Sequence, residues 1–178
     1  MRKLTTREIY HQNRHQTSPL SKRLIVWAHN IRSMHNVGAI FRNCDAFGVQ
    51  ELWLSGYTPR PPRPEITKAA IGAEESVSWK SLESAESGIL DLKSQGLMLA
   101  ALEQTDKGIR LDRWKSPKKG VCLLLGNEVT GVDDNLLEHC DIALEIPQFG
   151  VKHSLNVSVA SGVAIYAILA AHLNGSNL

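Results

Sequence analysis

Short apolar runs recur along this chain: Leu24–Ala28 (LIVWA), Leu97–Leu102 (LMLAAL), Val121–Leu125 (VCLLL) and Ile142–Ile146, with Glu51–Leu54 and the briefer Val77–Trp79 between them. Runs of this length without polar alternation predict strands buried on both faces. The intervening segments have helical spacing. Val37, Ile40, Phe41, Cys44 and Phe47 fall on one helical face and Gly48 ends the pattern. Further helices are predicted over Glu65–Glu75, over Leu82–Gln95 with Ser81 as cap, from Asp133 or Asp134 to His139, and from Ser154 or just after to about His172. Residues 29–36 and 107–119 read as polar loops, and the four prolines of Gly56–Pro64 make a stiff surface loop carrying Arg60 and Arg63. Strands alternating with helices predict an α/β fold, a mostly parallel sheet covered by helices on both faces.

Composition narrows the class. A length of 178 residues suits one domain, and 43% hydrophobic with 21% charged residues is the balance of a soluble globular protein. No charged start followed by an apolar block and a cleavage site marks a secretory signal. The longest apolar stretch, Val157–Leu173, is broken by Ser158, Ser161 and Tyr166 and is rich in Ala, which predicts a buried core helix and no membrane span. Cys44, Cys122 and Cys140 are odd in number, and none stands at zinc-ligand spacing. They read as reduced thiols of a cytoplasmic protein with no metal centre.

The net charge of +2 is unevenly spread: residues 1–23 carry six Lys and Arg against Glu8 alone, a net +5, which leaves −3 on the rest. This predicts a basic arm over residues 1–23 attached to a domain of residues 24–178, with nucleic acid as the partner such an arm suits.

The stretch most suited to chemistry is Ile146–Tyr166, IPQFGVKHSLNVSVASGVAIY. A strand stops at Pro147, a Gly-containing loop follows, and Ser-Leu-Asn then opens a long helix. Free amides and short polar side chains thus converge at one point, as binding a polar ligand requires. Ligands of parallel sheets sit at the carboxyl ends of strands. Three loops there are rich in functional groups: 29–36, 126–131 and 147–156. In the second, Gly126-Asn127-Glu128-Val129-Thr130-Gly131, glycines permit close backbone approach and Glu128 adds a carboxylate. Neither GxGxxG nor GxxxxGK[ST] occurs, which removes the main support for a dinucleotide fold or a P-loop nucleotidase.

Taken together, Asn36-Val37-Gly38-Ala39-Ile40-Phe41-Arg42, Leu124–Gly131, and Ile146-Pro147 followed by Ser154-Leu155-Asn156-Val157-Ser158 resemble the motifs of the SpoU/TrmH family of RNA ribose 2'-O-methyltransferases, in the SPOUT superfamily. The resemblance covers roughly residues 24–170. The RNA-binding domain that some members place ahead of the catalytic domain has no counterpart in the two dozen residues here. The resemblance implies a C-terminal deep trefoil knot, a homodimer with its active site near the subunit interface, and S-adenosylmethionine as methyl donor. By position the donor contacts fall at Leu102, Glu103, Gly126, Asn127, Ile146, Gln148 and Leu155.

The catalytic set implied is Arg42, Asn156, Ser154, Glu128 and Asn36. A guanidinium gives up its proton only above about pH 12 and is therefore a poor general base. Arg42 is therefore read first as the group that binds the phosphate beside the target ribose and orients its hydroxyl, with Arg as base the alternative. Asn156 holds the site through its amide, and Ser154 hydrogen-bonds near the ribose or the donor. Glu128 braces either Arg42 or loop amides; Asn36 either shapes its turn or meets the partner subunit. The RNA, a tRNA or rRNA, is expected to lie on the arm, Arg32, Arg60, Arg63 and the 107–119 loop, with His11, His15, His29, His35 and His153 as further contacts. Two other readings stand beside this one: base methylation by a SPOUT enzyme, and a non-catalytic RNA-binding or assembly factor that keeps the fold.

Overall fold

Buried apolar runs place the strands, and their order is what brings the three motif loops together. The structure, a computed structural model, describes residues 1–115, 117–152 and 154–175; His153 lies outside these. Among the described residues seven parallel strands form one sheet in the order β3-β2-β1-β6-β4-β7-β5. They are β1 (Leu24–His29), β2 (Glu51–Ser55), β3 (Trp79–Ser81), β4 (Met98–Leu102), β5 (Ile109–Arg110), β6 (Val121–Leu125) and β7 (Ile142–Glu145). β6, late in the chain, inserts between β1 and β4, pairing Leu24 with Val121 on one side and Met98 with Val121 on the other.

Every residue of β1 and of β6 is buried, because alternate side chains enter two different cores. Leu24, Val26, Ala28, Val121, Leu123 and Leu125 face one layer, with α2 (Met34–Phe47), α3 (Pro64–Ala70), α4 (Ala73–Ser76) and α7 (Val157–Gly175). Ile25, Trp27, Cys122 and Leu124 face the other, with α5 (Ala85–Gln95) and α6 (Asp134–Leu137). The expectation of a parallel sheet with solid apolar strands and helices on both faces therefore holds. No helix among the described residues is long and apolar enough to cross a membrane.

Several boundaries differ for local physical reasons. The helix expected from Val37 begins at Met34, because the Ser33 hydroxyl accepts from the amide of Asn36. The Glu65–Glu75 helix is two, broken where Ile71 (φ 54°) and Gly72 (φ 86°) adopt left-handed backbone. Ser84, not Ser81, caps α5 through a reciprocal bond with Ser87, which frees residues 79–81 to form β3 in place of 77–79. The 107–119 loop contains β5, which extends the sheet edge by pairing with β7. The helix expected to reach His139 stops at Leu137, and α7 continues to Gly175.

The arm is not wholly free of the body. α1 (Thr6–Asn13) has a capping box between Thr5 and Glu8 and buries no residue. Leu20, however, is fully buried in the α2/α7 core, and the Ser18 hydroxyl donates to the Phe47 carbonyl at 2.6 Å.

Candidate active site

A cavity of about 300 Å³ opens at the carboxyl ends of β4, β6 and β7. Its lining comes from Leu102, Glu103 and Gln104 after β4, from Leu125 to Gly131 after β6, from Leu144, Glu145, Ile146 and Gln148 along and after β7, and from Ser154, Leu155, Val157 and Ala160 at the entry to α7. All seven positions expected to touch a methyl donor line this one cavity, and so do Glu128 and Ser154. Leu102, Leu125, Leu144, Ile146, Leu155 and Val157 are its apolar lining residues, and Glu103, Glu128 and Glu145 its acidic ones. The volume is at the small end of the roughly 300–1,000 Å³ typical of small-molecule sites.

The loop after β6 folds back on itself as a tight turn. Asn127 and Gly131 exchange both backbone hydrogen bonds, N to O at 2.9 Å and 3.0 Å. A Cβ on Gly126 would lie 2.3 Å from the Gly131 carbonyl carbon, so the turn closes only over glycine. Inside it the Asn127 side chain is fully used. Its Oδ1 accepts from the amides of Val129 and Thr130, and its Nδ2 donates to the Asn30 carbonyl and the Tyr57 hydroxyl. From the cavity side, the Glu103 carboxylate accepts from the amide of Val132 at 3.0 Å and from that of Gln104 at 2.9 Å. Asn127 and Glu103 thus shape the cavity with their side chains.

At the rim, the Glu128 carboxylate accepts from the amides of Arg32 (2.9 Å) and Ser33 (3.1 Å) and from Asn36 Nδ2 (2.9 Å). Burial alone would raise the pKa of Glu128. The Arg32, Asn36 and Ser33 donors outweigh that and hold it below its ordinary value, so it is a carboxylate at neutral pH. The partners of Glu128 are thus two backbone amides and Asn36, and not Arg42. Asn36 lies in the first turn of α2, not in a loop, and its Oδ1 accepts from Asn156 Nδ2 at 3.1 Å. Asn156 in turn caps α7, its Oδ1 accepting from the amides of Ser158 (2.8 Å) and Val159 (3.4 Å). Glu128, Asn36 and Asn156 therefore form one continuous chain of hydrogen bonds across the three motifs.

Arg42 stands apart from this group. It is exposed on α2 and borders a separate cleft with Asp45, Ala70–Ala73 and Ser76. Its neighbour Asn43 locks α2 to α7, donating to the Ser158 carbonyl (2.8 Å) and the Ser161 hydroxyl (2.9 Å).

Two contributors were not among the expected site residues. Tyr57, at the head of the proline-rich loop, accepts from Asn127. Asp133, expected as a helix cap, makes no cap bond; its Oδ2 lies 3.0 Å from His29 Nε2 and accepts from Asn30 Nδ2 at 2.9 Å. The buried His29 is held from its other nitrogen by the Ser55 hydroxyl at 2.6 Å. This fixes the far end of the turn to β1 and leaves His29 out of the exposed surface. All three cysteines are free, and burial pushes the Cys44 and Cys122 thiols up, so neither is a nucleophile near neutral pH.

Comparison with known proteins identifies the family. The sequence pattern described as the SpoU rRNA Methylase family matches residues 23–166. The tRNA (guanosine(18)-2'-O)-methyltransferase of Aquifex aeolicus is 33% identical over 146 residues, which is 82% of this chain and 68% of that protein. The enzyme of the same name from Saccharomyces cerevisiae is 33% identical over 153 residues, 84% of this chain and 10% of that protein. The chain therefore spans about two thirds of one relative and a tenth of the other. The crystal structure of the A. aeolicus TrmH/SpoU tRNA modifying enzyme superposes with a TM-score of 0.78 at 28% identity, covering 87% of this chain and 78% of that one. By pattern, relatives and fold together, this chain belongs to the SpoU rRNA methylase family.

Proposed function

We propose that the chain is an S-adenosylmethionine-dependent methyltransferase acting on a ribose 2'-hydroxyl of tRNA or rRNA. The observation that carries this reading is that two motif loops, 126–131 and 147–156, line one cavity, while the Glu128–Asn36–Asn156 chain ties the first motif to both. The lining suits the donor: apolar residues for an aromatic base, and acidic residues whose negative charge favours a sulfonium and an ammonium. Leu102, Glu103, Gly126, Asn127, Ile146, Gln148 and Leu155 would hold it, mostly through backbone groups. When bound, it supplies an electrophilic methyl carbon.

The residues of the chain then do the positioning, which can lower a barrier by roughly 7–11 kcal/mol. Ser154, at the mouth, hydrogen-bonds the incoming ribose. Asn156 and Asn36 fix the entry of α7 against α2, and so would hold the ribose hydroxyl against the bound donor. The hydroxyl proton would pass to the adjacent phosphate or to water as the methyl group is taken up.

Arg42 is too far round α2 to join its own cavity, and a second copy of the chain resolves this. Val159, Val163, Tyr166 and Leu173 form an exposed apolar stripe along α7, at spacings of four, three and seven, on the side away from the core. Pairing this stripe with its two-fold mate brings α2 of one copy toward the cavity of the other, and Arg42 then binds the phosphate beside the target ribose. The same reading includes the C-terminal trefoil knot and a cytoplasmic RNA.

The test is transfer of labelled methyl groups from S-adenosylmethionine to bulk tRNA and rRNA by the purified protein. Label in alkali-resistant dinucleotides supports the reading. Label on a base would establish base methylation instead, and RNA binding without transfer a non-catalytic factor.

A further inference from the structure

We infer that the amino-terminal end of the sheet carries a second RNA-docking surface, a phosphate-binding patch of Lys22, Lys118 and Lys119 remote from the reaction cavity. This rests on the reading of the chain as an enzyme of RNA.

The patch is assembled by strand pairing. Lys22 and Arg23 precede β1, Lys118 and Lys119 precede β6, and these strands pair from Leu24 and Val121 onward. The backbone beneath is fixed. Arg23 Nη1 donates to the Lys118 carbonyl at 2.6 Å, and the Val121 amide donates to the Arg23 carbonyl at 2.8 Å. Gly120 (φ +99°) passes so close that a Cβ there would lie 2.7 Å from the Arg23 oxygen. Leu20 anchors the approach from the arm. The three lysines are exposed on this rigid base, and among the described residues none is in an ion pair. Two carboxylates at the amino ends of neighbouring strands are engaged by other groups: Glu51 accepts from Trp53 Nε1, and Asp141 from the Leu99 amide. The arm, with its net +5, enters at the same end.

Ammonium groups with no directional partner suit the phosphodiester backbone, which they bind without reading sequence. The cavity lies at the opposite, carboxyl end of the strands. Six residues of β1 at about 3.3 Å each separate the two ends by roughly 20 Å. Bridging that gap takes about six nucleotides at ~3.4 Å per step along one strand, so the substrate is a folded or extended RNA and not a free nucleotide.

The experiment compares wild type with the triple variant Lys22→Gln/Lys118→Gln/Lys119→Gln, and with Lys93→Gln on α5 as a control. It measures tRNA affinity against salt, donor affinity, and KM and kcat for methyl transfer to bulk tRNA. The expected result for the triple variant is a roughly tenfold rise in Kd and KM, and a salt slope shallower by about 2, at ~0.7–0.9 for each phosphate no longer neutralised. Donor affinity and kcat stay unchanged, and Lys93→Gln behaves as wild type. A triple variant with the Kd and slope of the control overturns the inference and leaves the patch to some other partner. Should wild type transfer no methyl group to any RNA, the proposed activity fails, while the salt slope still decides the patch.

Discussion

Asn156 donates from Nδ2 to Oδ1 of Asn36 across 3.1 Å, joining two side chains 120 positions apart. Asn36 passes the connection to Glu128 from its own Nδ2, at 2.9 Å. One asparagine thus uses both ends of its amide to tie the entry of α7 to the turn after β6, and the cavity lies between the elements so tied.

Substituting Asn36→Ala leaves the Glu128 carboxylate one donor short and Asn156 without its acceptor. The expected cost is about 2 kcal/mol, by the usual range for hydrogen bonds to a charged group. Donor affinity, measured by calorimetry, should fall several-fold. Because the three residues form one network, Asn36→Ala and Asn156→Ala should be clearly non-additive, with a coupling of about 0.5–3 kcal/mol in a double-mutant cycle. Strict additivity would contradict the network.

At Gly131 the backbone is left-handed (φ +74°), and a Cβ would fall 2.3 Å from the Glu103 carboxylate. Gly131→Ala should therefore cost about 1–3 kcal/mol in strain. It should also push Glu103 off the Val132 amide and lower donor affinity more than global stability alone accounts for. Thermal unfolding and donor titration on the same sample separate the two effects.

Glu128 is the pH-sensitive member. Its carboxyl sits below the ordinary glutamate value of about 4.3 in the folded chain, so its stabilisation is complete above that pH and is lost as pH falls through the lowered value. Unfolding measured between pH 7 and pH 3 should show this loss on the acid side only. Glu128→Gln should flatten that limb while lowering stability at pH 7.

The arm divides at Leu20. Removing residues 1–17 keeps Leu20 in the core and should weaken RNA binding at low salt, while donor affinity is retained. Leu20→Ala, by contrast, should cost about 2–5 kcal/mol as a cavity-forming core substitution. Equal destabilisation by both changes would show that α1 packs more firmly than its exposure implies.

Much of this was legible from residues alone, because uninterrupted runs such as LIVWA and VCLLL have no polar face to expose and must be buried on both sides. The motif match also placed all seven expected donor positions in one cavity. Strand order was not legible: β1 and β6 are equally apolar, and nothing in either shows that they pair. Nor was the break at Ile71, a residue type that seldom adopts left-handed backbone. Arg42 is more instructive. With the helix start placed at Met34, the six residues from Asn36 to Arg42 turn through about 600°, at roughly 100° per residue, and put the two side chains on different faces. The separation of Arg42 from the rim was therefore written in the spacing, and it was hidden only by reading residues 29–36 as loop.

That separation gives the account its most direct test. Arg42→Ala and Gly131→Val should each yield a protein with little methyl transfer, the first with intact donor binding, the second without it. In the proposed two-fold dimer, random re-pairing of the mixture joins one copy of each in half of the pairs, and each of these would contain a single complete site. The account predicts that the mixture recovers about a quarter of wild-type transfer, since the intact cavity of the first copy meets Arg42 of the second. A mixture as inactive as its two components would show that Arg42 does not act across a subunit interface.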